Sequence, residues 1–403
     1  MKTPEPSKYN ILYLDSGSGI GGGQRSLLLL LKLLNKQRWT PFVGCLGGSP
    51  FAAEVAKTDA QVVPLSLPEA HNKTDKVKRF TFRDLLNDFR QLQVIPQLHR
   101  VVKQHEIALI HANSLSVALL GGIVARLHRI PILMHKRYAT SYGILDKICA
   151  KLLHRVILVS EATRWDFAPE AKQTLIYNGV DLQAFQASQT EVETLRTELF
   201  SENAKPIESE SKLPILVGVV TRITPEKGIH FLVRAVAELK KIFIDASVDV
   251  KLLIVGGPYF QKDHDYMASL KQEVADLNVA DSVIFTGFLS DTRVVTTLLD
   301  IVLVPSIIPE ACPRTIIEAM AVGKPVIATP LGGSKELVTP ETGVLVPPEN
   351  AEAIASAIAK LAADREQLTK MGKAARQRAE QLFSSEKNTA LTESVYTELL
   401  TER

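Results

Sequence analysis

Residues 300–338 read DIVLVPSIIPEACPRTIIEAMAVGKPVIATPLGGSKELV and contain the densest structural signals in the 403-residue chain. An apolar run typical of a buried strand ends at Pro305 and Ser306, and a loop carrying Glu310 follows. A helix is predicted to begin near Pro313, since proline suits the first turn, where its missing N–H is not needed. The next apolar run, PVIAT, predicts another strand, so the stretch indicates a β-α-β unit of a parallel sheet.

The same alternation of strand and helix patterns extends over the whole chain, which predicts parallel sheets with helices on both faces. The predicted strands of the first half are NILYLD, TPFVGCL, QVVPL, ALIHA, PILMH and RVILVS, and those of the second half are PILVGVVTR, VKLLIVGG, SVIFTG, DIVLVPS and PVIAT. Each series is sufficient for a doubly wound sheet. We therefore predict an α/β protein with two Rossmann-like domains, whose strand ends face each other across a cleft.

A polar segment between the two series predicts where one domain ends. SQTEVETLRTELFSENAKPIESESKLP is charged and poor in large apolar residues, so we place a hinge near residues 185–211. The predicted domains are residues 1–188 and residues 189–384. The last helix, about residues 385–403, has no strand left to cover in the second series, and we expect it to pack back on the first domain.

Composition narrows the class of protein. Hydrophobic residues at 46% and charged residues at 23% are typical of an ordinary globular protein. No uninterrupted apolar stretch reaches the length of about 18 residues that predicts a membrane span, and the polar start MKTPEPSKYN does not resemble a signal peptide. The three cysteines are widely separated and lack metal-site spacing. We therefore expect a cytoplasmic protein without structural zinc.

Charge is distributed unevenly between the halves of the chain. Residues 1–200 contain 25 Lys and Arg against 17 Asp and Glu, whereas the remainder contains 22 against 27. Much of the excess lies between residues 73 and 103, where basic and apolar residues interleave. This pattern fits a solvated helix face, or a surface for anionic lipid headgroups or for an acidic acceptor. A lipid-binding surface would make the protein peripheral at the inner face of a membrane. No motif for reading nucleic acid accompanies the charge.

Two strand ends of the second series carry groups suited to phosphate. The N–H groups of Arg314 and Thr315, together with the dipole of the predicted helix, form a candidate phosphate site. Arg222 and Lys227 follow the strand PILVGVVTR, and a diphosphate would pair both cations. Surface ion pairs with Glu226 or with aspartates are the alternative.

Glu318 lies in an apolar part of the predicted helix, where its carboxylate requires hydrogen-bond donors. Ribose hydroxyls of a ligand would supply such donors, and a neighbouring arginine or backbone N–H is the alternative. Gly332 and Gly333 follow the next predicted strand. Their bare backbone either approaches a ligand or forms a tight turn.

GSGIGGGQR, residues 17–25, matches the G-x-G-x-x-G pattern of dinucleotide sites. The second predicted strand, TPFVGCL, is not followed by the acidic residue that would bind a ribose hydroxyl, which argues against a dinucleotide. We interpret the stretch as a loop that admits a sugar, its phosphate and an acceptor. Its candidate contact residues are Gly21, Gly22, Gly23 and Gln24.

Taken together, these motifs resemble the retaining glycosyltransferases of family 4, glycosyl transferases group 1, whose architecture of two Rossmann-like domains is called GT-B. The resemblance rests on the E-x7-E pair Glu310 and Glu318, on EAMAVGKPVIAT, and on the R-x4-K-G context of Arg222 and Lys227. YNGVD at residues 177–181 and FTGFLSD extend it over nearly the whole chain.

The resemblance implies a role for each matching position. Arg222 and Lys227 would hold the diphosphate of a nucleotide-sugar donor, and Glu318 would contact its ribose. Glu310 would lie beside the transferred sugar, and His135, at the end of PILMH, would touch that sugar. The other implied donor contacts are Cys312, Pro313, Arg314 and Thr315 for the sugar or phosphate, and Gly256, Gly287, Phe288 and Leu289 for the base.

The chain departs from the family pattern at two places. Glu310 is followed by Ala-Cys-Pro where many members carry Gly-Phe-Gly, a change that bears on sugar specificity. The usual G-G-A-E-R appears as GGGQR, so that an amide, Gln24, replaces a carboxylate.

The activity implied is transfer of a sugar from a nucleoside diphosphate sugar to a hydroxyl acceptor, with retention of anomeric configuration, in polysaccharide, lipopolysaccharide or glycolipid synthesis. A UDP-sugar donor is favoured and no cofactor is expected. Two cations would replace a metal ion at the leaving diphosphate, since no aspartate cluster suited to magnesium lies near them. A nucleotide-sugar epimerase of similar fold and a non-catalytic nucleotide-sugar-binding subunit remain alternatives.

Overall fold

The computed structural model describes residues 8–17, 19–67, 93–200, 214–243, 248–259 and 261–402. It divides into two compact units, one of Met1–Gly179 with Ser385–Arg403 and the other of Val180–Ser384. Residues 73–92 of the predicted membrane-facing stretch lie outside the described residues. None of the helices within these ranges combines the length and apolar composition needed to cross a bilayer.

The first unit is built on a seven-stranded parallel sheet with the order β3-β2-β1-β4-β5-β6-β7. Its strands are β1 (Tyr9–Leu14), β2 (Trp39–Leu46), β3 (Gln61–Leu65), β4 (Ile107–Ala112), β5 (Ile132–Lys136), β6 (Arg155–Leu158) and β7 (Gln173–Leu175). The helices described between them are α1 (Gly22–Leu33), α2 (Pro50–Val55), α3 (Val94–Gln104), α4 (Leu115–His128) and α5 (Ile144–Leu152). The strand order reverses direction between β1 and β4, and open α/β sheets bind ligands at such a switch point.

The second unit repeats this plan with a six-stranded parallel sheet in the order β10-β9-β8-β11-β12-β13. Its strands are β8 (Ile215–Val220), β9 (Val250–Val255), β10 (Val283–Gly287), β11 (Ile301–Val304), β12 (Val326–Ala328) and β13 (Gly343–Leu345). Its helices are α6 (Gln189–Phe200), α7 (Ile229–Ile242), α8 (Gln261–Asp276), α9 (Thr292–Leu298), α10 (Arg314–Ala321), α11 (Ser334–Leu337), α12 (Ala351–Ala362) and α13 (Arg365–Leu382). The switch point here lies between β8 and β11.

Both sheets are buried on two faces, which explains why their strands are continuous apolar runs. Along β1, Ile11 and Tyr13 pack in the core on one face, whereas Leu12 and Leu14 pack in the core on the other. Successive side chains of a strand point to opposite faces, so an apolar residue is needed at every buried position. The predicted α/β class with two doubly wound sheets is confirmed.

All eleven predicted strands are present, and the structure adds β7 and β13. Each added strand has three residues and pairs at one edge of its sheet, β7 with β6 and β13 with β12. Three residues are too few to produce a recognisable periodicity, which is why the sequence did not predict them.

The first unit gives way to the second between Gly179 and Val180, before the predicted hinge at residues 185–211. The helix α6 occupies part of that segment and packs against α9 of the second unit. Val192 is the buried residue of α6, and the other positions of this helix are mostly polar or charged. Its composition therefore resembles that of a linker. Arg293 on α9 strengthens the attachment by donating from Nη1 to the carbonyl of Gln186 at 2.8 Å.

The helix α14 (Ser385–Thr401) completes the first unit from the far end of the chain. Its Tyr396 is fully buried and packs edge-on against Trp39, with ring centroids 5.5 Å apart. Near the end of the helix, Glu398 forms an ion pair of 3.3 Å with Arg155 at the start of β6. The core of the first unit therefore includes residues of both the first and the last parts of the chain.

Candidate functional site

A cavity of about 220 Å³ lies at the carboxyl ends of β8 and β11, on the switch point of the second sheet. This is the position at which open α/β sheets bind their ligands. Polar residues that line the cavity together with the strand ends are Thr221, Lys227, Ser306, Glu310 and Thr315. The structure thus brings together three residues that the sequence assigned to the donor site, Lys227, Glu310 and Thr315.

Lys227 is positioned by a short turn, Pro225–Lys227, that ends at Gly228 with φ at +66°. A Cβ atom on Gly228 would lie 2.1 Å from the carbonyl oxygen of Pro305, an overlap with backbone that no side chain could relieve. Only glycine allows the turn to rest directly on the chain that follows β11. This contact holds the lysine beside the loop that carries Glu310.

Lys227 and Glu310 form an ion pair in which Nζ lies 2.8 Å from Oε2. The other carboxylate oxygen of Glu310 is bonded by the hydroxyl of Ser306. Both charged side chains are largely buried, with exposed fractions of 19% for Lys227 and 22% for Glu310. Because an ammonium group has three donors, the pair leaves Lys227 able to bind a phosphate oxygen as well. The partner of Lys227 is therefore Glu310 rather than Glu226, the surface partner that the sequence left open.

Arg222 follows β8 and is exposed. Its backbone neighbours are fixed, since the N–H of Thr221 donates to Val255 at 3.0 Å and that of Ile223 donates to Gly257 at 3.1 Å. No hydrogen bond or ion pair joins its guanidinium group to any residue in the described ranges. Arg222 thus presents a positive charge at the end of β8 on a well-held backbone.

The helix α10 begins at Arg314, with Pro313 as the residue that precedes its first turn. Arg314 binds Glu318 one turn later, with Nη2 and Nε at 2.9 Å and 3.0 Å from the same carboxylate oxygen. The hydroxyl of Thr315 donates to the carbonyl of Val220 at 3.0 Å and so attaches the helix to β8. An arginine, one of the alternatives considered for Glu318, therefore bonds one oxygen of this carboxylate, Oε1. Cys312 nearby is buried.

Residues assigned to the base of a nucleotide also lie together. The N–H of Gly256, after β9, donates to the carbonyl of Gly287 at the end of β10, at 2.9 Å. Phe288 follows Gly287 and has 75% of its surface exposed, and Leu289 is half-buried. A flat aromatic ring so exposed is a surface on which a planar base can stack.

In the first unit, the glycine-rich loop is fastened to a buried carboxylate. Asp15, at the end of β1, accepts from the N–H of Gly17 at 2.7 Å and from Nε2 of Gln24 at 2.8 Å. The other amide atom of Gln24 accepts from the N–H of Gly21 at 3.1 Å. An amide both donates and accepts, whereas an ionised carboxylate only accepts. Gln24 therefore bonds a carboxylate and a backbone N–H at once, which an ionised glutamate at this position could not do.

Replacing Gln24 with glutamate is expected to loosen this loop, because two carboxylates would meet where the amide now donates to Asp15. We expect the Gln24→Glu variant to lose about 1–3 kcal/mol of unfolding free energy at pH 7, the usual cost of a broken buried bond to a charged group. The loss should shrink at low pH, where the introduced carboxyl group protonates. Urea denaturation at pH 7 and at low pH measures the loss. Gln24→Ala is the control, because it removes the same hydrogen bonds without adding a charge. If Gln24→Ala were less stable than Gln24→Glu at pH 7, repulsion between the two carboxylates would be contradicted.

A second cavity, of about 350 Å³, lies within the first unit beside His135. Its polar lining consists of Ser26, His135, Arg137, Tyr177, Asn178, Ser385, Asn388, Thr389 and Thr392. Burial, and then the charge of Arg137, lower the pKa of His135 well below its usual value. The imidazole is consequently neutral near pH 7, and it can donate or accept a hydrogen bond but does not act as a fixed cation.

Several residues of these sites were missed by sequence reasoning. Asp15 and Asn113, bonded at 2.5 Å, end or follow the central strands β1 and β4. His111 is the penultimate residue of the predicted strand ALIHA and His135 is the last residue of PILMH, and a histidine near the end of both strands was the available signal. Tyr396 had none, because its contact with His111 joins residues 285 positions apart.

Metal ligands are not gathered anywhere in the part of the chain that the structure describes: no three His, Cys, Asp or Glu side chains form a group that could hold an ion.

Comparison with known proteins covers both units. Residues 20–184 match the family model of glycosyltransferase family 4, and residues 200–378 match that of glycosyl transferases group 1. YtcC of Bacillus subtilis (strain 168) is 30% identical over 241 residues, which are 58% of this chain and 57% of YtcC. The match thus spans little more than half the length of that relative.

CapM, a capsular polysaccharide biosynthesis glycosyltransferase of Staphylococcus aureus, is 25% identical over 335 residues, covering 78% of this chain and 83% of CapM. Among solved structures, Anabaena HepE in complex with UDP superposes with a TM-score of 0.80 at 24% identity, covering 96% of this chain and 100% of HepE. At that identity, the likeness establishes the shared fold.

Proposed function

Because the chain belongs to the group 1 glycosyltransferases of GT-B fold, we propose that it transfers a sugar from a nucleoside diphosphate sugar to a hydroxyl acceptor. The observation that carries this proposal is the cavity at the β8–β11 switch point, where Lys227, Glu310 and the start of α10 lie together. Lys227 and Arg222 supply positive charge at the end of β8. A diphosphate is a ligand whose charge such a site suits.

The donor in this proposal is a UDP-sugar. HepE, the similar structure from Anabaena, was crystallised with UDP and with UDP-glucose, which supports the choice of uridine. The base would stack beside Phe288, near the joined backbones of Gly256 and Gly287. Glu318 would accept hydrogen bonds from ribose hydroxyls at its other carboxylate oxygen, Oε2, because Arg314 bonds Oε1.

In the proposed reaction the bond between the anomeric carbon and the diphosphate oxygen breaks, and the acceptor oxygen bonds to that carbon on the same face, so that the configuration is retained. The proton of the acceptor hydroxyl is released together with the nucleoside diphosphate. The leaving diphosphate gains negative charge, and Lys227, Arg222 and the backbone N–H groups at the start of α10 stabilise it, because they are already oriented toward it. Glu310 orients the transferred sugar while holding the ammonium group of Lys227 in place. No step requires a metal ion, so transfer is expected to persist in excess EDTA.

A thermal-shift screen of nucleoside diphosphate sugars tests the donor, since a ligand that binds the folded state raises its stability. Transfer predicts that free nucleoside diphosphate is released only when an acceptor is supplied. A nucleotide-sugar epimerase would convert the donor without acceptor, and a binding subunit would show heat of binding without turnover. The anomeric configuration of the product, determined by NMR, tests retention.

The acceptor class in this proposal is a growing polysaccharide, lipopolysaccharide or glycolipid at an anionic membrane surface. The similarity to CapM, which is named for capsular polysaccharide biosynthesis, supports a polysaccharide acceptor. Two adjoining helices of the first unit support the proposed binding to a membrane surface. The helix α4 exposes Ile123 and Leu127, and the helix α5 exposes Ile144 and Ile148. Exposed basic residues in and around these helices and α3 are Arg100, Lys103, Arg126, Arg129, Lys147 and Lys151, against one exposed acid, Glu106. Exposed apolar side chains on helices that also carry exposed cations are typical of surfaces that bind anionic lipid.

The double variant Ile144→Glu, Ile148→Glu is expected to lose most of the binding to anionic liposomes at low salt. Two introduced carboxylates remove apolar area and repel the lipid headgroups. Flotation with and without high salt measures the loss, and Ile242→Glu, an equally drastic change at a 49% exposed isoleucine of α7, serves as the control. Equal flotation of wild type and double variant would contradict this surface.

A further inference from the structure

A buried chain of four side chains runs through the first unit. The hydroxyl oxygens of Tyr13 and Tyr396 are 3.1 Å apart, and that of Tyr396 lies 2.7 Å from Nδ1 of His111. Nε2 of His111 in turn lies 2.6 Å from Nδ1 of His135. The first three side chains are at most 1% exposed and His135 is 5% exposed. The chain therefore joins the C-terminal helix α14 to the residue that lines the larger cavity.

Each of these contacts requires one donor and one acceptor, and a neutral imidazole carries a single N–H, so the two bonds of His111 have only two possible directions. In one, Tyr13 donates to Tyr396, Tyr396 donates to Nδ1 of His111, and Nε2–H of His111 donates to Nδ1 of His135. In the other, both bonds of His111 are reversed, and the hydroxyl hydrogen of either Tyr13 or Tyr396 has no acceptor among the described residues. A buried hydroxyl without an acceptor loses its bond to water and gains nothing in return. The first direction is thus favoured.

Because both imidazoles are neutral, the direction of the hydrogen bonds decides which ring nitrogen carries the hydrogen. Burial lowers the pKa of His111 to about 3, and it also lowers that of His135 well below the usual value. Each ring then carries a single N–H at neutral pH, and the bond that each receives decides which nitrogen bears it. Because Nδ1 of His135 accepts from His111, its hydrogen is on Nε2. No partner for this nitrogen occurs among the described residues, and its ring lines the cavity.

We propose that Tyr396 and His111 are positioning residues that hold His135 as an Nε2–H donor toward an oxygen atom of the bound substrate. The tautomer follows from the buried chain alone, whereas the identity of the oxygen, on the sugar or its acceptor, rests on the proposed function. A donor fixed before the substrate arrives loses no orientational freedom on binding. The aromatic ring of Tyr396 fills the core against Trp39, and its hydroxyl group has this separate task.

Long-range 1H–15N NMR of the 15N-histidine-labelled protein tests the tautomers directly, with His111→Gln and His135→Gln assigning the signals. The expected result is that both rings of the wild type carry hydrogen on Nε2. Tyr396→Phe keeps the ring but removes the donor to His111, so both histidines should then show a second tautomer. Tyr13→Phe removes an equally buried hydroxyl but leaves that donor in place, and the single tautomer should remain.

Kinetics provide the second readout. We expect Tyr396→Phe to lower kcat/KM by about tenfold, the loss of roughly one hydrogen bond, while Tyr13→Phe stays near wild type. A wild-type His135 with hydrogen on Nδ1, or an equal tautomer change in the two variants, would overturn the proposal. A changed tautomer in Tyr396→Phe with unaltered kcat/KM would overturn its positioning role. Correct tautomers in a protein that transfers no sugar would instead count against the proposed function alone.

Discussion

Replacing Lys227 with alanine is expected to reduce sugar transfer by about 10²–10³-fold, the usual cost of removing one preorganised donor to a developing negative charge. The fold should survive the change, although the free energy of unfolding falls somewhat, because the largely buried carboxylate of Glu310 loses its partner. The structure adds a second reason for a large effect. Without the ammonium group 2.8 Å away, the carboxylate of Glu310 stands unpaired and repels the incoming diphosphate.

A matched control exists on the helix that follows. Lys241 and Glu238 of α7 also form an ion pair of 2.8 Å, but Lys241 is 71% exposed and the pair is far less buried. Lys241→Ala should leave turnover unchanged, because exposed pairs contribute little. The double variant Lys227→Ala, Glu310→Gln removes the unpaired charge and should still transfer poorly. Near wild-type turnover of Lys227→Ala at saturating donor would remove Lys227 from the mechanism.

Gly332→Ala is expected to destabilise the second unit by about 2–4 kcal/mol and to lower turnover by roughly 10²-fold. Gly332 has φ at +59°, and a Cβ atom there would lie 2.2 Å from the carbonyl oxygen and 2.8 Å from the nitrogen of Glu310. The N–H of Gly333 donates to the same carbonyl at 2.8 Å, so this backbone contact fixes the loop of Glu310. An added methyl group must displace the loop and, with it, the carboxylate.

Urea denaturation and steady-state kinetics of the same preparations measure both effects. Gly287→Ala provides the control for stability, since Gly287 has φ at +73° but no atom within 4 Å of its added Cβ. Backbone strain alone should cost Gly287→Ala about 1 kcal/mol. Equal denaturation midpoints for the two variants would show that contact with Glu310 is unimportant.

The fold was predictable because both sheets are covered on two faces. The buried positions of β1 and β8 carry apolar side chains or glycine on both faces of the strand, and such runs are visible in a single sequence. Short edge strands and α6 were less visible. In α6, Glu191 forms an ion pair with Arg293 of α9, which also pairs with Asp291. This pairing depends on the tertiary structure, and the polar composition of the segment does not reveal it.

The candidate site was predictable where residues belong to one motif and less so where distant segments meet. The positions of Lys227 and Glu310 at strand ends follow from their neighbours in sequence. Their mutual ion pair does not, because it depends on how two loops approach each other through Gly228 and Pro305. The order of hydrogen bonds from Tyr396 to His135 likewise depends on which buried groups have other partners, and that is decided only in the folded unit.

The placement of α14 in the first unit has a consequence for biosynthesis. A ribosome delivers the first sheet early, but Tyr396 emerges only after the whole second unit has been translated. Until then the nascent sheet exposes the face of Trp39 that Tyr396 later covers, an apolar surface suited to a chaperone. The half of the protein that is made first is therefore the half that finishes folding last.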